Sequence, residues 1–204
     1  MLSFGIIIGR LLDIFILLNT FSVMFFGGRM AFITNFQSSV ELVDLLERYN
    51  LDKKTNIDKF LEDVEDDYTE WTVDKEAKIG DIVYFMCAKT SVDHMRSLRK
   101  NIIENYFDDD LLEFTESQFE KYKKYAGKII AIGKLVSEPF QADSGYTKPY
   151  WRSPWYASVE ELKLLKNPVD ISQFRDFIKV SRTGAITRLS KAQEERLNNL
   201  IGRM

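Results

Sequence analysis

Few side chains in this 204-residue sequence have the types that do covalent chemistry. It holds one cysteine, Cys87, and one histidine, His94. A Cys/His or Ser/His nucleophilic arrangement would need one of these to meet its partner in space, and nothing in the spacing requires it. Cys87 falls inside an apolar run and reads as a small buried hydrophobe. His94 falls in the first turn of an expected helix, off its apolar stripe, and reads as a surface residue. One Cys and one His leave no Cys/His zinc cluster and no internal disulfide framework, which fits a reducing compartment. A carboxylate-only metal site stays open in principle. The acidic triplet Asp108-Asp109-Asp110 is its candidate, but three adjacent carboxylates do not converge on one face, so the triplet reads as a solvated loop. No metal and no cofactor are expected.

Two other groups point to binding. Lys89-Thr90-Ser91 follows an apolar run, like the end of a phosphate-binding loop. The upstream glycines are missing, so no Gly-rich cradle forms. Thr90 or Ser91 as a helix N-cap, with free amides able to hold an anion, is what remains; an ordinary cap is the competing reading. The second group is aromatic. The chain has 15 Phe, 9 Tyr and 3 Trp. Trp71, Tyr150, Trp151, Trp155 and Tyr156 stand in polar, turn-like contexts rather than at core periodicity. Flat rings beside Lys148 and Arg152 can hold a planar base, with each stack worth about 1–3 kcal/mol. An extruded base needs such a slot and polar groups for its edge. The alternative is that one or two of these tryptophans plug the ends of a small barrel.

Charge is divided along the chain. The net charge is -3, yet residues 121–204 carry 16 Lys and Arg against 8 Asp and Glu, and residues 1–120 carry 12 against 23. A basic second half with interleaved aromatics suits a polyanion. An acidic insertion opposite an ordinary surface is the other explanation.

The elements that must position these residues follow from periodicity. Ala31 to Phe36 reads as an opening strand. Ser38-Ser39-Val40-Glu41 reads as a capping box for a helix with Leu42, Leu45, Leu46 and Tyr49 on one face. An acidic helix is expected from Ile57 to about Asp67. Residues 80–88 and 127–136 are continuous apolar runs behind glycines, expected as strands buried on both faces. The glycine inside the second, Gly133, suggests a bulge or a close backbone approach. Between them Val92, Met95, Leu98, Ile102 and Tyr106 trace a helical face. Thr115 to Gln118 reads as the cap of a further helix bearing Phe119, Tyr122 and Tyr125. The expected result is a helical insertion at about 91–126 joining two strands of one sheet. The C-terminal third reads as short strands and turns, with Ala157 to Leu164 ambiguous between helix and edge strand. Asp170-x-x-Gln173 and Ser190-x-x-Gln193 open the last two helices. Residues 30–204 are expected to form a single domain, because a chain of this length and 45% hydrophobic content builds one core.

Residues 1–29 differ from the rest. The segment is almost wholly apolar and long enough to span a membrane, but Arg10 and Asp13 interrupt it. It lacks the basic start and small-residue cleavage site of a signal peptide. Gly27-Gly28-Arg29 before Met30 can also be encoded by purine-rich codons that spell a bacterial ribosome-binding site, which would make Met30 the true first residue. A membrane partner is expected only if residues 1–29 are translated. Otherwise the expected location is cytoplasmic.

The order of motifs resembles EVE-type domains of the PUA-like superfamily, to which ASCH and YTH modules also belong. Trp71 precedes the strand Lys78-Ile79-Gly80-Asp81-Ile82-Val83-Tyr84-Phe85. Then come residues 127–136, an aromatic turn with Trp151 and Trp155, Asn167-Pro168-Val169-Asp170-Ile171, and Ile186-Thr187-Arg188-Leu189-Ser190 before the last helix. The resemblance covers about 68–90 and 127–202. It implies an α+β fold: a small bent β-barrel with peripheral helices, whose concave face receives a nucleobase, often modified, in an aromatic-walled pocket. Trp71, Lys89, Thr90, Ser91, Trp151, Trp155 and Tyr156 are then expected at the base, and Lys148 and Arg152 at phosphate. The implied partner is bacterial or phage DNA or RNA carrying a modified or flipped base. The long helical insertion and the extra N-terminal helices depart from the pattern and bear on pocket access. A nuclease or nucleotide-processing enzyme on an ASCH-like scaffold, or a protein-interaction module using the acidic insertion, are the alternatives.

Overall fold

Strands whose residues are apolar at every position need cover on both sides, and two such strands lie at the centre of this protein. The structure is a computed structural model and describes residues 28–105, 108–141, 154–180 and 186–202. Its elements are β1 (Ala31–Phe36), α1 (Leu42–Leu51), α2 (Asn56–Glu65), β2 (Tyr68–Thr72), β3 (Ile82–Cys87), α3 (Ser91–Asn105), α4 (Asp109–Tyr125), β4 (Lys128–Leu135), β5 (Phe140–Gln141), β6 (Trp155–Asp170), a 3-10 turn (Ile171–Gln173), β7 (Ile186–Leu189) and α5 (Lys191–Gly202). The strands form one mixed sheet in the order β2-β6-β4-β3-β1-β7, with β5 also paired to β6. β1 and β3 run parallel, with Ala31 opposite Ile82 and Phe36 opposite Cys87. The other described pairs are antiparallel.

The period of two along each strand sorts the core into two clusters. Phe32, Phe36, Val83, Phe85, Cys87, Leu135, Ala157 and Val159 lie on one face. There they pack against Leu45 of α1, Ile57 and Phe60 of α2, Met95, Leu98 and Ile102 of α3, and Leu111 and Tyr122 of α4. Ala31, Ile33, Tyr84, Met86, Ile129 and Val169 line the opposite face beneath Phe174, Ile178 and Leu197. Both central strands are therefore sandwiched, as the apolar runs required. The sheet curls into a half-barrel whose far strands approach each other across the first face. Trp71 Nε1 of β2 donates to Thr34 Oγ1 of β1 at 2.8 Å. Arg188 of β7 donates to Asp74, just past β2, at 2.6 and 3.1 Å, and to Glu76 at 2.9 Å.

The curl depends on Gly133. The β4–β6 register shifts between Ile132 and Lys134, and a Cβ on Gly133 would lie 2.5 Å from Val159 Cγ1 and 3.0 Å from Leu162 Cδ2. The expected bulge and close approach both occur here. Gly127 has φ +74 and donates its amide to Cys87 O at 2.8 Å, turning the chain from α4 into β4.

Several local expectations are corrected. The Ser38–Glu41 capping box does not form, since the α1 N-cap Glu41 makes no side-chain cap. Ser38 turns instead to Ser91, donating its amide to Ser91 Oγ at 3.0 Å and its hydroxyl to Ser91 O at 3.1 Å. A capping box forms at α2, between Thr55 and Asp58. The acidic triplet opens a helix rather than forming a solvated loop. Asp108 is the α4 N-cap and accepts from Leu111 N at 2.9 Å, with Asp109 and Asp110 in the first turn, where the helix dipole favours negative charge. Thr115 is thus mid-helix and buried, its hydroxyl on Leu111 O. The C-terminal third holds the longest strand, β6, rather than only short strands and turns, and Ala157 to Leu164 is interior strand paired to β2 and β4. Capping pairs at Asp170/Gln173 and Ser190/Gln193 form as expected. Residues 1–27 lie outside the described residues; among those described, no helix is long and apolar enough to cross a membrane.

Candidate functional site

Trp71 sits on β2 opposite Ala157 of β6, not in a turn-like context. Its indole meets Phe36, Phe60 and Phe85 edge-on, with ring centroids at 6.2, 5.5 and 5.2 Å. With Nε1 held by Thr34, the ring is fixed in place and stays half-buried. Trp155 opens β6, accepts Val73 N on its carbonyl at 2.9 Å, and packs half-buried on the same core cluster as Trp71. Two residues separate Trp155 from the partner of Trp71, so the indoles are diagonal neighbours on one face of adjacent strands, at a spacing of about 7–8 Å. Tyr156 pairs with Thr72 and Phe140 and therefore faces the other side of the sheet. Tyr150, Trp151, Lys148 and Arg152 lie outside the described residues.

Lys89 and Thr90 are exposed beyond the carboxyl end of β3, whereas Ser91 is fully buried. The Ser91 hydroxyl is engaged by Ser38 and is not presented to solvent. Strand direction decides how these residues relate to the tryptophans. β6 begins at Trp155 and ends at Asp170, which pairs with Lys128 beside the Lys89 loop. Its bulges shorten it: Val159 to Asp170 is matched by Leu135 to Lys128 of β4, seven steps of about 3.3 Å, or about 23 Å. The structure brings Trp71 and Trp155 together on one face, and Lys89, Thr90 and Ser91 follow β3, whose Phe85 touches the Trp71 ring and whose Cys87 pairs with Phe36, a second ring against that indole.

Electrostatics differ at the two ends. At the tryptophan end, the hydrogen bond from Arg188 holds the Asp74 carboxyl below the usual carboxylate range. At the lysine end, the Ser172 hydroxyl and amide, with Lys128 and Lys89 nearby, hold Asp170 low. Burial pushes the Cys87 thiol up to about 12, so it carries no thiolate near neutral pH. His94 is half-buried rather than a plain surface residue, and its Nδ1 is buried without a hydrogen-bond partner among the described residues. No group of three His, Cys, Asp or Glu side chains that could hold a metal ion occurs among the described residues.

Sequence reasoning missed Thr34 and the Arg188–Asp74–Glu76 cluster. Thr34 had a readable signal, as the polar residue at an inward position between Phe32 and Phe36. The Arg188 contacts join residues more than 110 positions apart, and local pattern holds no trace of them.

No family model matches the chain, and no curated protein matches it. Among solved structures it is similar to a hypothetical protein from Leishmania major, with 9% identity, TM-score 0.47, and coverage of 86% of this chain and 96% of that one. A structural-genomics protein from Agrobacterium tumefaciens matches at 10% identity and TM-score 0.43, covering 85% and 93%. The chain is also similar to a mutant of the ASCH protein of Zymomonas mobilis, with 9% identity, TM-score 0.39, and coverage of 84% and 96%.

Proposed function

We propose that this chain is a non-catalytic nucleic-acid-binding module of the PUA-like, EVE-type kind, and that it holds a flipped or modified base of DNA or RNA against Trp155. One observation carries the reading: Trp71 and Trp155 share the inner face of adjacent strands, both half-buried, with Trp71 locked by Thr34 and three phenylalanines. Trp71 supplies the fixed wall and Trp155 the stacking ring. Trp151, outside the described residues, belongs to the same site in this reading. Tyr156, on the outer face of β6, takes no part in this site. A buried neutral thiol at Cys87 favours binding over nucleophilic chemistry.

The test is titration with single-stranded oligonucleotides carrying ordinary and modified bases, followed by tryptophan fluorescence and calorimetry. A stack worth about 1–3 kcal/mol is lost in Trp155→Ala, so affinity should fall about 5- to 150-fold. Trp151→Ala should fall by a similar factor. Unchanged affinity in both variants, or no binding to any oligonucleotide, overturns the reading.

A further inference from the structure

The carboxyl end of β3 collects cations around Gly127. The Lys89 stem lies 3.7 Å from where a Gly127 Cβ would stand. Lys128 follows Gly127 directly and donates Nζ to Lys124 O at 2.8 Å. Gly127 O accepts Ile171 N, and Ile171 O accepts Arg175 N at 2.9 Å, which brings Arg175 to the same end. Lys89, Lys124 and Arg175 are exposed and Lys128 is half-buried. Nearby carboxylates have other partners. Asp170 holds the Ser172 amide and hydroxyl at 2.8 and 2.7 Å. Asp93 pairs with Arg96 at 2.7 Å, Asp176 with Arg196 at 3.6 Å, and Glu120 with Lys123 at 2.9 Å. Among the described residues, none of the four central cations is in an ion pair.

We infer that Lys89, Lys124, Lys128 and Arg175 form a phosphate-contact surface for a nucleic-acid backbone, beyond the carboxyl end of β3. The inference rests on the nucleic-acid reading above and assigns Lys89 to phosphate rather than to the base. The chemistry favours a polyanion: four cations face the single carboxylate of Asp170, three of them are exposed, and displaced counterions drive association.

The experiment compares the wild type with a triple variant, Lys89→Gln, Lys124→Gln and Arg175→Gln, all at exposed positions. Lys128 is kept because it packs on the end of α4. Affinity for a 20-nucleotide single strand, and for the same strand made abasic throughout, is measured from about 50 to 400 mM salt. Losing three phosphate contacts at about 0.7 each should make the slope of log K against log salt shallower by about 2 on both strands. Trp155→Ala should lower affinity for the base-bearing strand alone and leave the slope unchanged. An unchanged slope in the triple variant overturns the surface, as does retention by anionic vesicles with none by oligonucleotides. Loss of slope in the triple variant, combined with no effect of Trp155→Ala, upholds the surface and removes the base reading.

Discussion

Gly133→Ala is the sharpest perturbation the fold offers. Gly133 lies opposite Val83 in the β3–β4 ladder and within the stretch where the β4–β6 register shifts. An added methyl would stand 2.5 Å from Val159 Cγ1, 3.0 Å from Leu162 Cδ2 and 3.3 Å from Phe85 Cε2. Carbon atoms in contact prefer about 3.5–4.0 Å, so the overlap with Val159 is about 1 Å. Val159 is fully buried and β-branched, with little rotamer freedom. Phe85 is held by Phe60 and Trp71, with ring centroids at 4.9 and 5.2 Å. The strands must therefore move apart, and overpacking of this kind costs about 1–3 kcal/mol. For a domain of this size that is a fall in Tm of about 2–12 °C, read by circular dichroism with heat and urea. Gly127→Ala serves as the comparison: its φ of +74 strains any side chain, but its nearest atoms are at 3.7 Å, so its cost is dihedral rather than steric. Val159→Ala separates the two mechanisms. It removes the clashing methyl, so Gly133→Ala should cost at least about 1 kcal/mol less in that background, whereas Gly127→Ala should cost the same in either. If Gly133→Ala costs under about 0.5 kcal/mol, or if Val159→Ala gives no relief, the close approach is not what requires glycine.

Two further outcomes follow from buried titratable groups. Cys87 is fully buried and its thiol is pushed up to about 12 by desolvation, so at pH 8 a thiol reagent should label it only through opening of the fold, far more slowly than it labels the urea-unfolded chain; equally fast labelling of the native protein would contradict the burial. Burial, with Glu194 adding to it, raises the Tyr84 hydroxyl from 10.0 to about 12. The folded state therefore keeps its proton more tightly than the unfolded chain, and this part of the stability is complete below about pH 10 and is lost as pH rises towards 12. Urea midpoints from pH 8 to 11.5 should fall above pH 10, less steeply in Tyr84→Phe.

The parts of the fold legible in sequence are those whose burial leaves a local mark. β3 and the first half of β4 are covered on both faces, so they read as unbroken apolar runs. Gly133 marked its own crowding. The Asp170/Gln173 and Ser190/Gln193 caps close within three residues. β2 was not legible because Tyr68–Thr72 is a five-residue strand at one end of the sheet order, with polar residues alternating around Trp71. The Ser38 cap failed because a partner 53 residues away, Ser91, competes for the same hydroxyl. Asp108 has the chemistry of a loop and of an N-cap alike, and only the register of α4 selects the second.

The candidate site divides for a deeper reason. Residue type and spacing showed which side chains suit a base or a phosphate, and alternation assigns each to a face of its strand. Neither says which end of the sheet a strand end occupies. That depends on β2 and β4 both running antiparallel to β6 and on β3 running antiparallel to β4, which carries the backbone towards Lys89 away from Trp155, while the curl lays the Trp71 ring on Phe85 and on Phe36, the partner of Cys87. A strand that stacks a base on Trp155 and runs towards Lys89 engages both groups, and its affinity should rise as it is lengthened. Affinity that is already complete for a mononucleotide, with no gain on lengthening the strand, would mean that the lysine end takes no part in binding.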